Sequence, residues 1–144
     1  MKGLRIRSVD ENDVPALVIL AGKFMPKMAS ARRRIRALKQ ALEDPNYELL
    51  AAELDGEIVG FIDRWDISDF VHGAKLSYVQ NLYILPRFRR KGVGGELLRK
   101  IVESAKRKSA LEIHVTTEFG NKPAIGLYKG HGFVKEALQL EAGL

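Results

Sequence analysis

Residues Val79–Leu98 read VQNLYILPRFRRKGVGGELL. The stretch opens as a strand, closed at Pro86 because proline cannot donate a ladder hydrogen bond. Glycines Gly92, Gly94 and Gly95 then let backbone N–H groups approach a ligand closely. A helix starts at that point, where its unpaired amides and its dipole favour an anion. Arg87, Arg89, Arg90 and Lys91 add positive charge just ahead of the glycines. Strand, basic bend, glycines and helix start are the parts of a phosphate cradle in working order.

Downstream, Val93, Leu97, Leu98, Ile101, Val102 and Ala105 recur at helical spacing, predicting a helix over Gly92 to Lys108. Leu111 to Thr116 reads as a strand, Lys122 to Lys129 as a short helix, and Phe133 to Leu140 as a last strand. Upstream, Leu76 to Ile84 is the strand that feeds the cradle. Glu48 to Glu53 and Glu57 to Trp65 form a hairpin across Asp55-Gly56, a favourable two-residue turn. Asp66 to Lys75 is polar and loop-like, with a strand extension as the alternative. Near the amino terminus, Leu4 and Ile6 alternate with Arg5 and Arg7 as a first strand. Ser8 or Asp10 then caps a helix through Val14, Leu17, Val18 and Ala21, with Pro15 in its first turn and Met25-Pro26 interrupting it. A second helix runs from about Ala29 to Leu42, and Asp44-Pro45-Asn46 ends it. The expected order is β-α-α-β-β-β-α-β-α-β, a mixed α/β sheet in one domain over residues 1–144.

Composition bounds the function classes. A hydrophobic share of 46% and a charged share of 29% describe a globular chain. No apolar run approaches the ~18 residues a membrane helix needs. MKGLRIRSVD lacks the apolar stretch of a signal peptide, so cytoplasm is the expected compartment and no membrane partner is expected. The absence of cysteine excludes disulfides, thiolate metal sites and a cysteinyl-enzyme intermediate. His72, His114 and His131 lack metal-site spacing, so no metal is expected. The net charge of +6 and pI near 9.7 favour anionic partners without choosing among them.

Three glycine patterns compete for Arg89 to Gly95. A Walker A loop fails for want of a Gly-Lys-Ser/Thr end. A dinucleotide fingerprint lacks its third glycine, although Glu112 falls at a distance suited to a ribose; too little chain follows Glu112 for the usual doubly wound sheet. The third pattern fits. Arg89-x-x-Gly92-x-Gly94, between a strand and a helix, resembles the acetyl-coenzyme A loop of the GNAT superfamily of N-acetyltransferases. A second match lies downstream, where Asn121, Ala124, Leu127-Tyr128 and Gly132-Phe133 resemble the family's other coenzyme A segment. Gly126 is unusual inside that short helix, costing about 1 kcal/mol relative to alanine. The specific motifs lie between Val79 and Phe133; the first half of the chain matches in element order alone.

The resemblance implies a mostly antiparallel sheet splayed at its two central strands, with acetyl-CoA as donor and direct transfer to a primary amine in a ternary complex. It implies that Leu82, Tyr83 and Ile84 pair with the thioester arm, and that an N–H near Ile84 polarises the carbonyl. Arg89, Arg90, Lys91, Gly92, Val93, Gly94 and Gly95 would hold the pyrophosphate, with Asn121 and Tyr128 contributing from the second segment. Tyr128 would protonate the departing thiolate.

The base is not legible. Tyr78 and Gln80 are expected on one face of the central strand, and Ser77, Val79 and Asn81 on the other; none is a good base near neutral pH. Glu48, Asp63, His114 and Glu118 would need the fold to bring them in, and His114 is expected as a satisfied core residue rather than a catalytic one. Trp65 and Phe70 either line the acceptor groove or pack the sheet. Arg32-Arg33-Arg34-x-Arg36 is either a solvated helix face or a contact for an acidic acceptor or anionic macromolecule. The acceptor stays open: a protein amino terminus, lysine, polyamine, aminoglycoside or small metabolite, as does a homodimer. Two other functions compete. A basic nucleic-acid-binding module lacks the stacking aromatics it would need, so nucleic acid is not the expected partner. A coenzyme A binder without turnover is the other.

Overall fold

The computed structural model describes residues 2–144. Its sheet has five strands in sequential order: β1 (Leu4–Ser8), β2 (Tyr47–Leu54), β3 (Glu57–Asp69), β4 (Ala74–Ile84) and β5 (Glu112–Val115). The first three pairings are antiparallel and β4 pairs with β5 in parallel. The β2–β3 turn has φ of 49° at Asp55 and 82° at Gly56. Left-handed backbone at both central residues matches the right-handed twist of the hairpin it joins.

Helices α1 (Val14–Phe24) and α2 (Ala31–Glu43) cover one face, where Leu17, Phe24 and Leu38 meet Leu49 and Phe61. Asp10 caps a short helical turn ahead of α1, and Ser30 caps α2 through the Arg33 amide. Helix α3 (Val93–Arg107) covers the opposite face with Val93, Leu97, Leu98 and Ile101 fully buried. Beneath it lies a buried polar cluster. Arg64 is 1% exposed, donates to Glu48 (2.9 Å) and Ser77 (2.9 Å), and pairs with Asp66, while Ser104 of α3 donates to Glu48 (2.9 Å). With every partner satisfied, this network ties α3 to β2, β3 and β4; removing one member would leave a buried charge uncompensated. Helix α4 (Lys122–Gly130) packs against the start of α3 through Leu127, and His131, which caps α4, packs there beside it.

Three expectations are corrected. The segment Asp66 to Lys75 is mostly strand: β3 reaches Asp69 and β4 begins at Ala74, with the turn confined to residues 70–73. No sixth strand forms over Phe133 to Leu140. Phe133 turns in against Tyr128 and Gln139 is held by the Thr116 hydroxyl (2.8 Å), so the tail is tied by side chains instead of a ladder. Strand propensity without ladder pairing does not make a strand.

The third correction concerns faces. Asp63 opposes Asn81, whereas Arg64 opposes Val79, so Gln80 is an extra residue, a β-bulge on β4. The bulge breaks the simple alternation. Ser77 and Val79 lie on the α3 face, but Asn81 joins Tyr78 and Tyr83 on the α1/α2 face.

Candidate active site

The cradle is built by the strand-to-helix connection. Leu85 N–H donates to Val59 O (2.9 Å), Pro86–Phe88 make a single 3₁₀ turn, and the chain then reverses hand at Arg90 (φ 61°) and at Gly92 (φ 86°), the residue capping α3. Glycine takes the second of these conformations without strain. The first intrahelical donor of α3 is Glu96 N–H to Gly92 O (3.1 Å). Among the described residues, the amides of Arg90, Lys91, Gly92, Val93, Gly94 and Gly95 donate no hydrogen bond. Six successive free donors at the positive end of a fifteen-residue helix form a concavity suited to an anion.

The basic residues around it divide their work. Arg89 Nε donates to Ile84 O (2.8 Å), with its guanidinium 5.5 Å from the centre of the Tyr83 ring. Arg87 pairs with Glu57 (2.8 Å) and covers Phe88. Arg90 and Lys91 are exposed and form no ion pair among the described residues, which leaves their charge available to a ligand at the free amides.

Beside the cradle, β4 loses its neighbour. Pairing with β5 runs from Leu76 to Val79 and ends opposite Val115, so residues 80–84 continue alone along that edge. The break coincides with the Gln80 bulge. Leu85 N–H points to β3 and Asn81 N–H reaches Asp63 (2.9 Å), so alternation turns the peptide groups of Leu82 and Ile84 the other way, toward the gap. Arg89 already occupies the Ile84 carbonyl. The N–H groups of Leu82 and Ile84 remain. Tyr83 instead faces α1, stacked on Phe24 at 5.1 Å.

Gly60 makes this arrangement possible. It stands opposite Ile84, and a Cβ there would lie 2.8 Å from Tyr83 O and 2.6 Å from Ile84 Cδ1.

The second segment meets the first at the cradle floor. Asn121 Oδ1 accepts from Ala124 N–H (3.3 Å) and caps α4. A Cβ on Gly94 would touch Leu127 at 3.4 Å, and one on Gly95 would touch His131 at 3.6 Å. Tyr128, 8% exposed, packs edge-on against Phe133. Burial raises the Tyr128 phenol above its ordinary range. Its oxygen has no hydrogen-bond partner among the described residues and is not sealed from solvent.

The chain has matches among known proteins. Residues 16–133 fit the Acetyltransferase (GNAT) family model. The chain belongs to the GNAT acetyltransferase family. It is 28% identical over 136 residues to the uncharacterized N-acetyltransferase YhfO of Bacillus subtilis (strain 168), spanning 92% of this chain and 91% of that protein. It is 30% identical over 141 residues to an N-alpha-acetyltransferase of Sulfurisphaera tokodaii, spanning 92% and 81%. Its fold superposes on the aminoglycoside N-acetyltransferase AAC(6')-Iy in complex with the bisubstrate analogue CoA-S-monomethyl-acetylneamine, with a TM-score of 0.86 at 19% identity over 98% of both chains. The chain is therefore an N-acetyltransferase of the GNAT family, an enzyme class whose donor is acetyl-CoA. The free amides of Arg90–Gly95 beside an unpaired strand edge fit a ligand that carries a pyrophosphate and an amide-bearing arm. No helix among the described residues is long and apolar enough to cross a membrane.

On the α1/α2 face, the acetyltransferase holds a cavity of about 380 Å³. Its apolar wall comes from both helices and the sheet, and its polar lining includes Asp63, Tyr47, Asn81 and Arg34. Asp63 is 6% exposed and accepts from Tyr47 Oη (2.5 Å), Asn81 N–H (2.9 Å) and Asn81 Nδ2 (3.2 Å to each carboxylate oxygen). Burial raises the Asp63 carboxyl above its ordinary range, against the lowering effect of those bonds. Burial likewise raises the Tyr47 phenol, reinforced by the Asp63 charge.

Sequence reasoning left four carboxylate or imidazole candidates, and the fold separates them. Glu48 sits on the opposite face with Arg64 and Ser104. His114 is not a core residue: it is exposed, stacked on Tyr78 at 4.9 Å and bonded to Glu112 (3.0 Å). Glu118 is exposed between β5 and α4. Asp63 alone of the four lines the cavity. Trp65 lines it too, whereas Phe70 stands 94% exposed at the β3–β4 turn. Of the arginine cluster, Arg34 turns to the cavity and donates to the Met25 carbonyl, while Arg32, Arg33 and Arg36 are exposed. Tyr47, Gly60 and Asn81 were not expected in these roles. Only the bulge at Gln80, invisible without register, puts Asn81 on the Asp63 face.

Proposed function

We propose that residues 1–144 act as one N-acetyltransferase domain that moves an acetyl group from acetyl-CoA directly onto a primary amine in a ternary complex. Acetyl-CoA, when bound, supplies an acetyl group already activated as a thioester. The amides of Arg90–Gly95, with the Arg90 and Lys91 side chains, hold its pyrophosphate. Arg89 fixes the end of β4, and Asn121 sets the start of α4. Leu82 and Ile84 offer N–H groups to the pantetheine arm much as a missing strand would meet them, and the Ile84 N–H stabilises charge on the carbonyl oxygen.

The amine nitrogen forms its bond to the acetyl carbon as the carbon–sulfur bond breaks. Nitrogen loses one proton and sulfur gains one. Tyr128 donates the proton to sulfur. A thiol with a pKa near ~8.5 is a fair leaving group, so this acid has a modest task.

The observation that supports this reading best is the juxtaposition at the end of β4. Six free amides adjoin an unpaired strand edge, and α4 with Tyr128 packs over the same helix start. Thermal stabilisation by acetyl-CoA tests it. Binding to the folded state adds about 2.7 kcal/mol at one hundred times Kd, and the effect should survive moderate salt. No stabilisation at millimolar acetyl-CoA would end the proposal.

A further inference from the structure

We propose that the cavity between α1, α2 and the sheet takes a single primary ammonium carried on an apolar body, seated on Asp63, which also accepts the proton the amine must lose. This rests on the acetyl-transfer reading above and names its acceptor class.

Asp63 is the one carboxylate among the described residues lining the cavity. It is nine-tenths buried, yet Tyr47 and Asn81 surround it with neutral donors and no cation bonds to it. A buried carboxyl bonded only by neutral donors carries an uncompensated charge whenever it ionises, and a cationic ligand on it would offset that charge. The adjoining wall suits the same charge. Tyr47 and Trp65, packed on each other with centroids 4.7 Å apart, both line the cavity beside Asp63, and aromatic rings attract an ammonium group. Most of the rest of the lining is apolar, with Leu17, Phe24, Leu38, Leu49 and Phe61 its largest side chains, which calls for an apolar body. The volume of about 380 Å³ lies at the small end of ligand pockets.

Charge argues against a polycation. A second ammonium would find no second carboxylate in the lining and would meet the guanidinium of Arg34. The net charge of +6 and the exposed Arg32, Arg33 and Arg36 beside it on α2 add to that repulsion. Polyamines and aminoglycosides are therefore disfavoured. The likeness to AAC(6')-Iy is a likeness of fold.

Proton balance follows. The acceptor enters as the ammonium, Asp63 takes one proton and leaves a neutral amine, and that proton returns to solvent after turnover. The proton lost as the amide forms balances the one gained by sulfur. The titratable or charged groups that share the cavity with Asp63 are Tyr47 of β2 and Arg34 of α2; α1 contributes apolar side chains, and β4 contributes the amide of Asn81.

The test measures thiol release from acetyl-CoA with 2-phenylethylamine and hexylamine against spermidine and kanamycin, alongside thermal stabilisation by acetyl-CoA. The monoamines should be used with kcat/KM at least ~10-fold higher. Asp63→Asn should lower kcat/KM for 2-phenylethylamine by ~100-fold or more, flatten the acidic limb of its pH profile and keep the acetyl-CoA stabilisation. Trp65→Leu should raise the KM for 2-phenylethylamine by ~5-fold or more with kcat held, a readout that stands even if Asp63→Asn fails to fold. Preference for the polycations, or a parental pH profile in Asp63→Asn, would overturn this inference alone. Absent acetyl-CoA stabilisation in the parent would overturn the acetyl-transfer reading and this one with it.

Discussion

The backbone N–H of Asn81 donates to the carboxylate of Asp63 at 2.9 Å. That contact exists because Gln80 bulges out of β4 and turns Asn81 onto the face that carries Asp63. The same residue marks the point where β4 parts from β5. One inserted residue thus places a polar group in the cavity between α1, α2 and the sheet and coincides with the unpaired edge of β4.

Asn81→Ala removes both side-chain bonds to Asp63 and leaves the backbone one. Those bonds favour the ionised carboxylate, so the Asp63 pKa, already raised by burial, should rise further. Activity that needs ionised Asp63 is lost as pH falls through that pKa. The acidic limb of kcat/KM should therefore move to higher pH in the variant. A limb that stays or moves down would contradict the role of Asp63.

Asp63→Asn should raise stability at neutral pH while lowering activity. A carboxyl whose pKa is raised on folding binds more protons folded than unfolded, so its ionisation destabilises the fold as pH rises. The variant's advantage in thermal midpoint should be absent below the ordinary carboxylate range, grow as pH rises through it and be complete above the folded pKa. A variant less stable than the parent at pH 8 and equal at pH 3 would reverse the sign.

Tyr128→Phe should lower kcat by ~10- to 100-fold, at the weak end of general acid catalysis. The acetyl-CoA midpoint in a thermal titration should hardly change, because the phenol oxygen has no partner among the described residues. Parental turnover would reduce Tyr128 to packing against Phe133.

Gly92→Ala places a side chain at φ 86°. Left-handed backbone costs a non-glycine residue about 1–2 kcal/mol, and escaping that cost means moving the cap that aims the free amides. Acetyl-CoA affinity should fall by ~5- to 30-fold in calorimetry, with little change in amine preference. Unchanged affinity would place the pyrophosphate elsewhere.

Gly60→Ala would press a Cβ to 2.8 Å from the Tyr83 carbonyl. The strands must part there, costing about 1–3 kcal/mol as overpacking does. Chemical denaturation should register the loss, and kcat should fall with it because Ile84 stands opposite.

Much of this was legible in the sequence because it was local. Strand, proline stop, glycines and helix start lie within twenty residues, and Asp55-Gly56 announces its own turn. The segment around Tyr128 was legible through its resemblance to the second coenzyme A segment of the GNAT family, following the first around Gly92 in the same order. What could not be read depends on register. Alternation predicts that Asn81 shares a face with Val79, and the Gln80 bulge reverses it. Asp63 was one acid among several until pairing placed it over the cavity and Glu48 beneath α3. The tail after Gly132 has strand composition, yet side-chain ties at Gln139 and Phe133 hold it off the ladder. Composition carries no information about which edge is free.

Direct acetyl transfer, from a donor held at Arg90–Gly95 to an amine in the cavity beside Asp63, requires thiol and acetylated amine to form together. Thiol release from acetyl-CoA measures it most directly, because a chain without cysteine adds no thiol of its own. With 2-phenylethylamine present, thiol should appear in step with an equal amount of the N-acetylated amine, and without amine it should stay near the uncatalysed rate. Release that ignores the amine, or no release with any primary amine at millimolar acetyl-CoA, would contradict the account.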